Sequence, residues 1–140
     1  ITMSVQLKYN GFIINKLNYE YKGELEQQQD SFYLEFMFDD ISVAISANDA
    51  IVTLSGHANC SNEENDNDSE YRTLNIKVDY FYDIENPKKV KSPEKIQKIV
   101  NNYGVNNAII LFQELVKQIT SLDIVGPISS YEFRFPGSLK

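Results

Sequence analysis

Up to Tyr82 the apolar residues of this chain recur mostly at every second position, and from Ile96 onward at every third and fourth. A period of two fits extended strands with one covered face, whereas a spacing of three and four fits a helix lying on such a face. Strands come first and helices follow, which is the order of an α+β fold rather than of alternating β-α-β units.

The strand region divides at its polar and turn residues. From Val5 to Tyr21, Leu7, Tyr9, Ile13, Leu17, Tyr19 and Tyr21 hold odd positions, so the run reads as extended with a break near Gly11. Gly23 to Asp30 is polar and reads as a loop. Phe32, Leu34, Phe36 and Phe38 form one face of a strand that Asp39 and Asp40 end. Ile41, Val43, Ile45 and Ala47 resume the alternation as far as an Asn48-Asp49 turn. Further strands run from Ile51 to Cys60 and from Leu74 to Tyr82. Between these two, Ser61 to Glu70 (SNEENDNDSE) has no apolar residue to bury and is expected as a flexible acidic hairpin loop.

The helical part starts after the breaker PKKVKSP. Ser92 followed by Pro93 is a helix start, and the short stripe Ile96, Ile99, Val100, Tyr103 is expected to stop at Gly104 as its C-cap. Ala108, Leu111, Phe112, Leu115, Val116, Ile119 and Leu122 then mark a long amphipathic helix from Asn107 to Leu122. With Ile109 and Ile110 added, its apolar stripe is wider than one sheet face covers. Leu111, Leu115 and Ile119 are therefore expected at an oligomer interface. Gly126-Pro127 ends that region, and Ile128 to Phe135 is extended or weakly helical.

Charge and composition exclude several functions. The 140 residues suit one domain, spanning 1–140, with one core. With 20 acidic against 13 basic residues the net charge is -7, and the basic residues are scattered, so nucleic acid is not the expected partner. The one cysteine, Cys60, rules out an intrachain disulfide and a multi-cysteine zinc site, and its phase marks it as a buried thiol. No apolar run approaches the roughly 20 residues of a membrane helix, and no basic-then-apolar leader is visible, so the expectation is a cytoplasmic chain without membrane contact.

No residue pattern supports chemistry. His57 falls opposite in phase to Val52, Leu54 and Ala58, with no Cys or Glu at ligand spacing, and reads as a surface residue of a strand. Asp66, Asp68 and Glu70 alternate like calcium ligands but lack the required Gly and the closing Glu. No catalytic residue, metal site, nucleotide motif or cofactor is therefore expected, and the chain is not read as an enzyme. The aromatic content points elsewhere. Phe36, Phe38, Tyr80, Tyr82 and Phe133 are the candidates for an apolar groove that binds a client polypeptide.

Taken together, these segments resemble the SecB family of protein-export chaperones. That family carries K-D-L-S-F-E in its N-terminal strand, where this chain has N-K-L-N-Y-E from Asn15 to Glu20. Family strands correspond to Ile51 to Cys60 and to Leu74 to Tyr82, and the long helix to Asn107 to Leu122. The family's Gly-Phe-Pro is matched in part by Val125-Gly126-Pro127. The resemblance implies a four-stranded antiparallel sheet beside a long and a short helix, a dimer or dimer of dimers, and ATP-independent binding of unfolded polypeptide.

The departures from the family touch partner docking. Family members dock on the SecA motor through acidic residues of the sheet face, and the aligned positions here are Lys16 and Lys77, with Glu20 keeping an acid. Charge reversal at two positions weakens docking on a basic partner, so a SecA-type motor is a doubtful partner. The helix has Phe112-Gln113-Glu114-Leu115 where the family has Phe-Pro-Tyr-Ala-Arg. The alternative is a dedicated partner-binding protein on the same scaffold, such as a chaperone of one antitoxin or assembly component.

Overall fold

Four antiparallel strands form one sheet in the order β1-β4-β3-β2 in the computed structural model, which describes residues 5–21, 33–61, 70–89 and 92–120. They are β1 (Gln6–Tyr21), β2 (Tyr33–Ile45), β3 (Asp49–Ser61) and β4 (Glu70–Glu85). A 3-10 turn (Pro87–Lys89) leads to α1 (Pro93–Ile99), a π-helical turn (Val100–Gly104) and α2 (Val105–Thr120). This is the expected α+β architecture: a four-stranded antiparallel sheet, one short helix and one long amphipathic helix.

The two inner strands keep strict alternation. On β3, Val52, Leu54, Ala58 and Cys60 are buried, and on β4 so are Leu74, Ile76, Val78, Tyr80, Tyr82 and Ile84. Each faces a helix layer, because successive side chains of a strand point to opposite sides and α2 covers only one. From α2, Ala108, Phe112, Val116 and Thr120 complete that core at a spacing of four. The Phe112 ring lies 5.8 Å from Phe36 and 5.2 Å from Phe38, which closes β2 under the helix.

The edge strands are where the sequence reading needs correction. Asp39 does not end a strand; it is the extra residue of a bulge between Phe38 and Asp40, and β2 continues to Ile45. The bulge moves the core face from even to odd positions, which is why Phe36, Phe38, Ile41 and Val43 all face inward. In β1, register shifts fall between Tyr9 and Gly11 and between Ile14 and Lys16. Gly11 has φ +126, a conformation open to glycine at little cost. Residues facing the buried side of β4 are therefore Leu7, Tyr9, Phe12, Ile14, Leu17, Tyr19 and Tyr21. Ile13, placed with the inward set by its odd number, lies on the outer face instead and is exposed.

Gly104 is not a helix stop. The chain passes from α1 through the π-helical turn into α2 without a break. A methyl group on Gly104 would meet Leu7 Cδ1 at 3.4 Å, an ordinary contact distance, so the helix passes over β1 with room for a small side chain. Ser92 does precede the first turn, although its backbone carbonyl rather than its hydroxyl accepts from the Lys95 and Ile96 amides. The hairpin joining β3 and β4 is present, with Ser61 opposite Glu70. Its tip at 62–69, the end of the long helix at Leu122, the 23–30 loop and the segment from Gly126 to Phe135 lie outside the described residues.

Candidate functional site

Helix coverage of the sheet is incomplete over β1. Tyr9 is 38% exposed, Phe12 46%, Ile14 38% and Leu17 46%, although all four share the core face of the sheet. They form an apolar stripe along an edge strand, above buried residues of β4. Tyr9 packs 6.5 Å from Tyr80 and 5.6 Å from Tyr82, and Phe12 packs 6.0 Å from Tyr80. The stripe thus extends sideways from the buried tyrosines of β4 through tilted ring contacts.

At its Leu7 end the stripe opens into a cleft of about 280 Å³ lined by Leu7, Tyr9, Tyr82, Tyr103 and Asn107. Two features of the backbone create it. The helix start lies over Leu7 at Gly104, and Tyr103, in the π-helical turn, is 70% exposed. The Tyr82 hydroxyl donates to Asn107 Oδ1 at 2.7 Å, which ties β4 to the first turn of α2 and fixes the amide. Burial holds the Tyr80 and Tyr82 hydroxyls above the ordinary phenol range, with Tyr9 nearby adding to the effect. Tyr9 is shifted the same way by burial. These phenols stay protonated, as hydrogen-bond donors, at any neutral pH. Among the described residues the Tyr80 hydroxyl is buried without a hydrogen-bond partner.

The expected groove residues divide. Phe36, Phe38, Tyr80 and Tyr82 are each at most 3% exposed, so they are core residues rather than an open groove; α2 covers the first two and β1 the others. Of the four, Tyr82 alone lines the cleft. Phe133 lies outside the described residues. The strand alternation missed Phe12 and Ile14 because the bulges change their parity, and Asn10-Gly11 was the available signal. Nothing in the periodicity pointed to Asn107.

Leu111, Leu115 and Ile119 are half-buried and flank the core, whereas Ile110 is the exposed apolar residue of α2, at 59%. The docking candidates are on the opposite, outer face of the sheet. Lys16 and Lys77 are direct cross-strand partners there, and both are exposed. Glu20 lies further along β1, opposite Thr73. On the same face Thr53 donates to Asp79 at 2.6 Å, and His57 Nδ1 lies 2.6 Å from Asp39 Oδ1. Among the described residues no three His, Cys, Asp or Glu side chains gather where they could hold a metal ion. No described helix is long and apolar enough to cross a membrane.

No protein-family model and no curated protein matches this chain. Among solved structures it is similar to a SecB-like chaperone of Mycobacterium tuberculosis in complex with a peptide from the HigA1 antitoxin, at 13% identity and a TM-score of 0.62. The match covers 93% of this chain and 92% of that one. A protein of unknown function from Streptococcus agalactiae, at 11% identity over 94% of this chain and 100% of that one, has a TM-score of 0.38, too low to bear on the fold. The sheet order, the helix laid over one face and the near-complete overlap with the mycobacterial chaperone together show that this chain has the SecB-like fold.

Proposed function

We propose that the chain is an ATP-independent holdase that binds non-native polypeptide along the exposed face of β1. The observation that carries this reading is the stripe Tyr9, Phe12, Ile14 and Leu17, apolar residues left open beside an aromatic cleft. Burying such a stripe against a client's apolar side chains yields about 25 cal/mol per Å² removed from water. The edge strand adds backbone groups with which an extended client can pair. The SecB-like fold and the antitoxin peptide held by the mycobacterial chaperone support polypeptide as the ligand class.

In this proposal the protein is a cytoplasmic homo-oligomer, a dimer or dimer of dimers, with Leu111, Leu115 and Ile119 beside the exposed Ile110 at the subunit contact. It needs no cofactor and catalyses no reaction. The test is aggregation of a reduced, unfolded client without nucleotide. The chain suppresses it, and Phe12→Ser with Leu17→Ser, both at exposed positions, weakens suppression while leaving the fold intact. Full suppression by the folded double variant places the client elsewhere; none by the unaltered chain removes the holdase reading.

The second reading, a chaperone dedicated to one partner, rests on Lys16 and Lys77 standing side by side where the SecB resemblance expects acids. A pull-down distinguishes the two: many unrelated clients for the holdase, one partner for the dedicated chaperone.

A further inference from the structure

We propose that residues 128–135 of this same chain occupy the β1 stripe from Leu17 to Phe12, so that a client binds by displacing them. The displacement step rests on the polypeptide-binding reading above; the occupancy stands without it.

The course of α2 decides where the following chain begins. Its first turn is tied to the cleft end of the sheet, where the Tyr82 hydroxyl donates to Asn107. Its Thr120 carbonyl is tied to the other end, accepting from Arg72, whose Nε donates to the Tyr19 hydroxyl of β1. The helix therefore traverses the face, and residues 121–140 follow from a point beside the Leu17 end of the stripe. Consecutive elements tend to pack as neighbours, and an apolar sheet face is stable only under a second layer. On this face the apolar residues that α2 leaves open are those of β1.

The sequence selects the occupant. Of the longer segments outside the described residues, 62–69 has no apolar side chain, and 22–32 has only Leu25 and Phe32 and is tied to β2. Residues 128–135 carry Ile128, Tyr131, Phe133 and Phe135. Tyr131, Phe133 and Phe135 alternate with Glu132 and Arg134, so an extended backbone turns three rings one way and both charges the other. Tyr131 to Phe135 spans about 13 Å in that form. Leu17, Ile14 and Phe12 stand opposite Ile76, Val78 and Tyr80, the same pitch along the ladder, so three rings meet three stripe residues. Between Thr120 and Tyr131 the chain reaches up to about 36 Å, which leaves room for a turn at Gly126-Pro127. The segment on this course runs antiparallel to β1, and Pro136-Gly137 ends it short of the cleft. Being tethered, it acts at an effective concentration of about millimolar, an advantage that neither a free client nor a second copy has.

The test uses the full chain. It has no Trp, so Phe12→Trp places a single reporter in the stripe. Acrylamide quenching of that reporter is expected to increase when Tyr131→Ser, Phe133→Ser and Phe135→Ser are added, with circular dichroism checking the fold. A second pair of variants leaves most of the segment unaltered. Ile14→Cys with Phe133→Cys should close an intrachain disulfide faster than Ile13→Cys with Phe133→Cys, because Ile13 is next to Ile14 but on the outer face. Cys60 is buried and stays out of the reaction. Unchanged quenching in the folded triple variant, or equal closure rates of the two pairs, overturns the occupancy. Shielding of the reporter that disappears on dilution also overturns it and assigns the stripe to a second copy. Aggregation of the reduced, unfolded client is followed in parallel, and the triple variant is expected to suppress it at about tenfold lower concentration. Equal suppression with the occupancy upheld refutes displacement. If neither protein suppresses aggregation while quenching and closure behave as expected, the holdase reading falls and the occupancy stands. Suppression with unchanged quenching and equal closure rates leaves the holdase reading and refutes the occupancy.

Discussion

The Arg72 guanidinium, 4% exposed, donates from Nη2 to the backbone carbonyl of Thr120 at 3.0 Å. Thr120 belongs to α2, so a buried cation meets a main-chain carbonyl in the last described turn of that helix. The same side chain donates from Nε to the Tyr19 hydroxyl at 2.6 Å and lies 5.4 Å from the centre of that ring. One residue of β4 thus links the edge strand and the long helix at the end of the sheet remote from the tyrosine cleft. Arg72→Leu leaves a carbonyl and a hydroxyl without their donor, and is expected to cost about 2 to 4 kcal/mol in urea denaturation. Arg72→Lys should recover only part, since an ammonium cannot serve both partners and the ring in one plane. An unchanged urea midpoint for the leucine variant would show that the link contributes nothing.

Two glycines should respond to alanine with opposite signs. A methyl group on Gly56 would meet Met37 O at 3.0 Å and the Phe36 ring at 3.1 Å. The carbonyl belongs to the β2–β3 ladder and the ring is packed under Phe112, so neither yields freely. Gly56→Ala is expected to destabilise by about 1 to 3 kcal/mol. At Gly104 the contacts begin at 3.4 Å, an ordinary separation, and the residue is helical. Gly104→Ala should stabilise by roughly 0.5 to 1 kcal/mol, because alanine loses less freedom in a helix. Thermal melts of the two variants check both signs; a loss at Gly104 would mean that the helix start cannot shift even slightly over Leu7.

The tyrosine cluster predicts alkaline sensitivity. Burial raises the Tyr80 and Tyr82 hydroxyls above their unfolded value of 10.0, so the folded chain keeps protons that the unfolded chain releases. Stability is intact below about pH 10 and falls above it, by up to about 1.4 kcal/mol per pH unit for each retained proton. Tyr80→Phe should remove one share of that slope. It should also raise stability near neutrality by about 1 kcal/mol, since the hydroxyl it deletes is buried without a partner among the described residues. Urea midpoints at neutral and alkaline pH read both effects, and a destabilised Tyr80→Phe would reveal a partner for that hydroxyl.

Lys16 and Lys77 face each other across β1 and β4. Like charges directly opposite in an antiparallel pair repel, so Lys77→Glu should stabilise the sheet by about 0.2 to 1 kcal/mol at low salt. The double change Lys16→Asp with Lys77→Glu is expected to strengthen binding to a SecA-type motor by about 1 to 3 kcal/mol, less as ionic strength rises. Salt-insensitive tight binding of the motor by the unaltered chain would remove both the docking alignment and the expectation of weak export coupling.

The periods of two and of three and four were sufficient to place the strands before two helices, although they divided β2 in two at Asp39. They also placed the inward faces of β3 and β4, because no bulge interrupts the run from Val52 to Ala58 or from Leu74 to Ile84. Local spacing fails where the ladder slips. The register shifts in β1 and the Asp39 bulge change which side the following residues occupy, and only pairing with the neighbouring strand shows it. Gly104 is ambiguous for a related reason: glycine can stop a helix or lie within one, and only the continuous backbone from α1 through the π-helical turn into α2 decides between them. The division of the aromatics into core and surface was not available from the chain alone. Phe36 and Phe38 have the same strand character as Phe12, yet α2 lies over the first two and leaves Phe12 open. Side-chain period reports which residues share a face; how far a helix extends across that face is set by the packing of Phe112, Gly104 and Arg72, contacts between residues far apart in sequence.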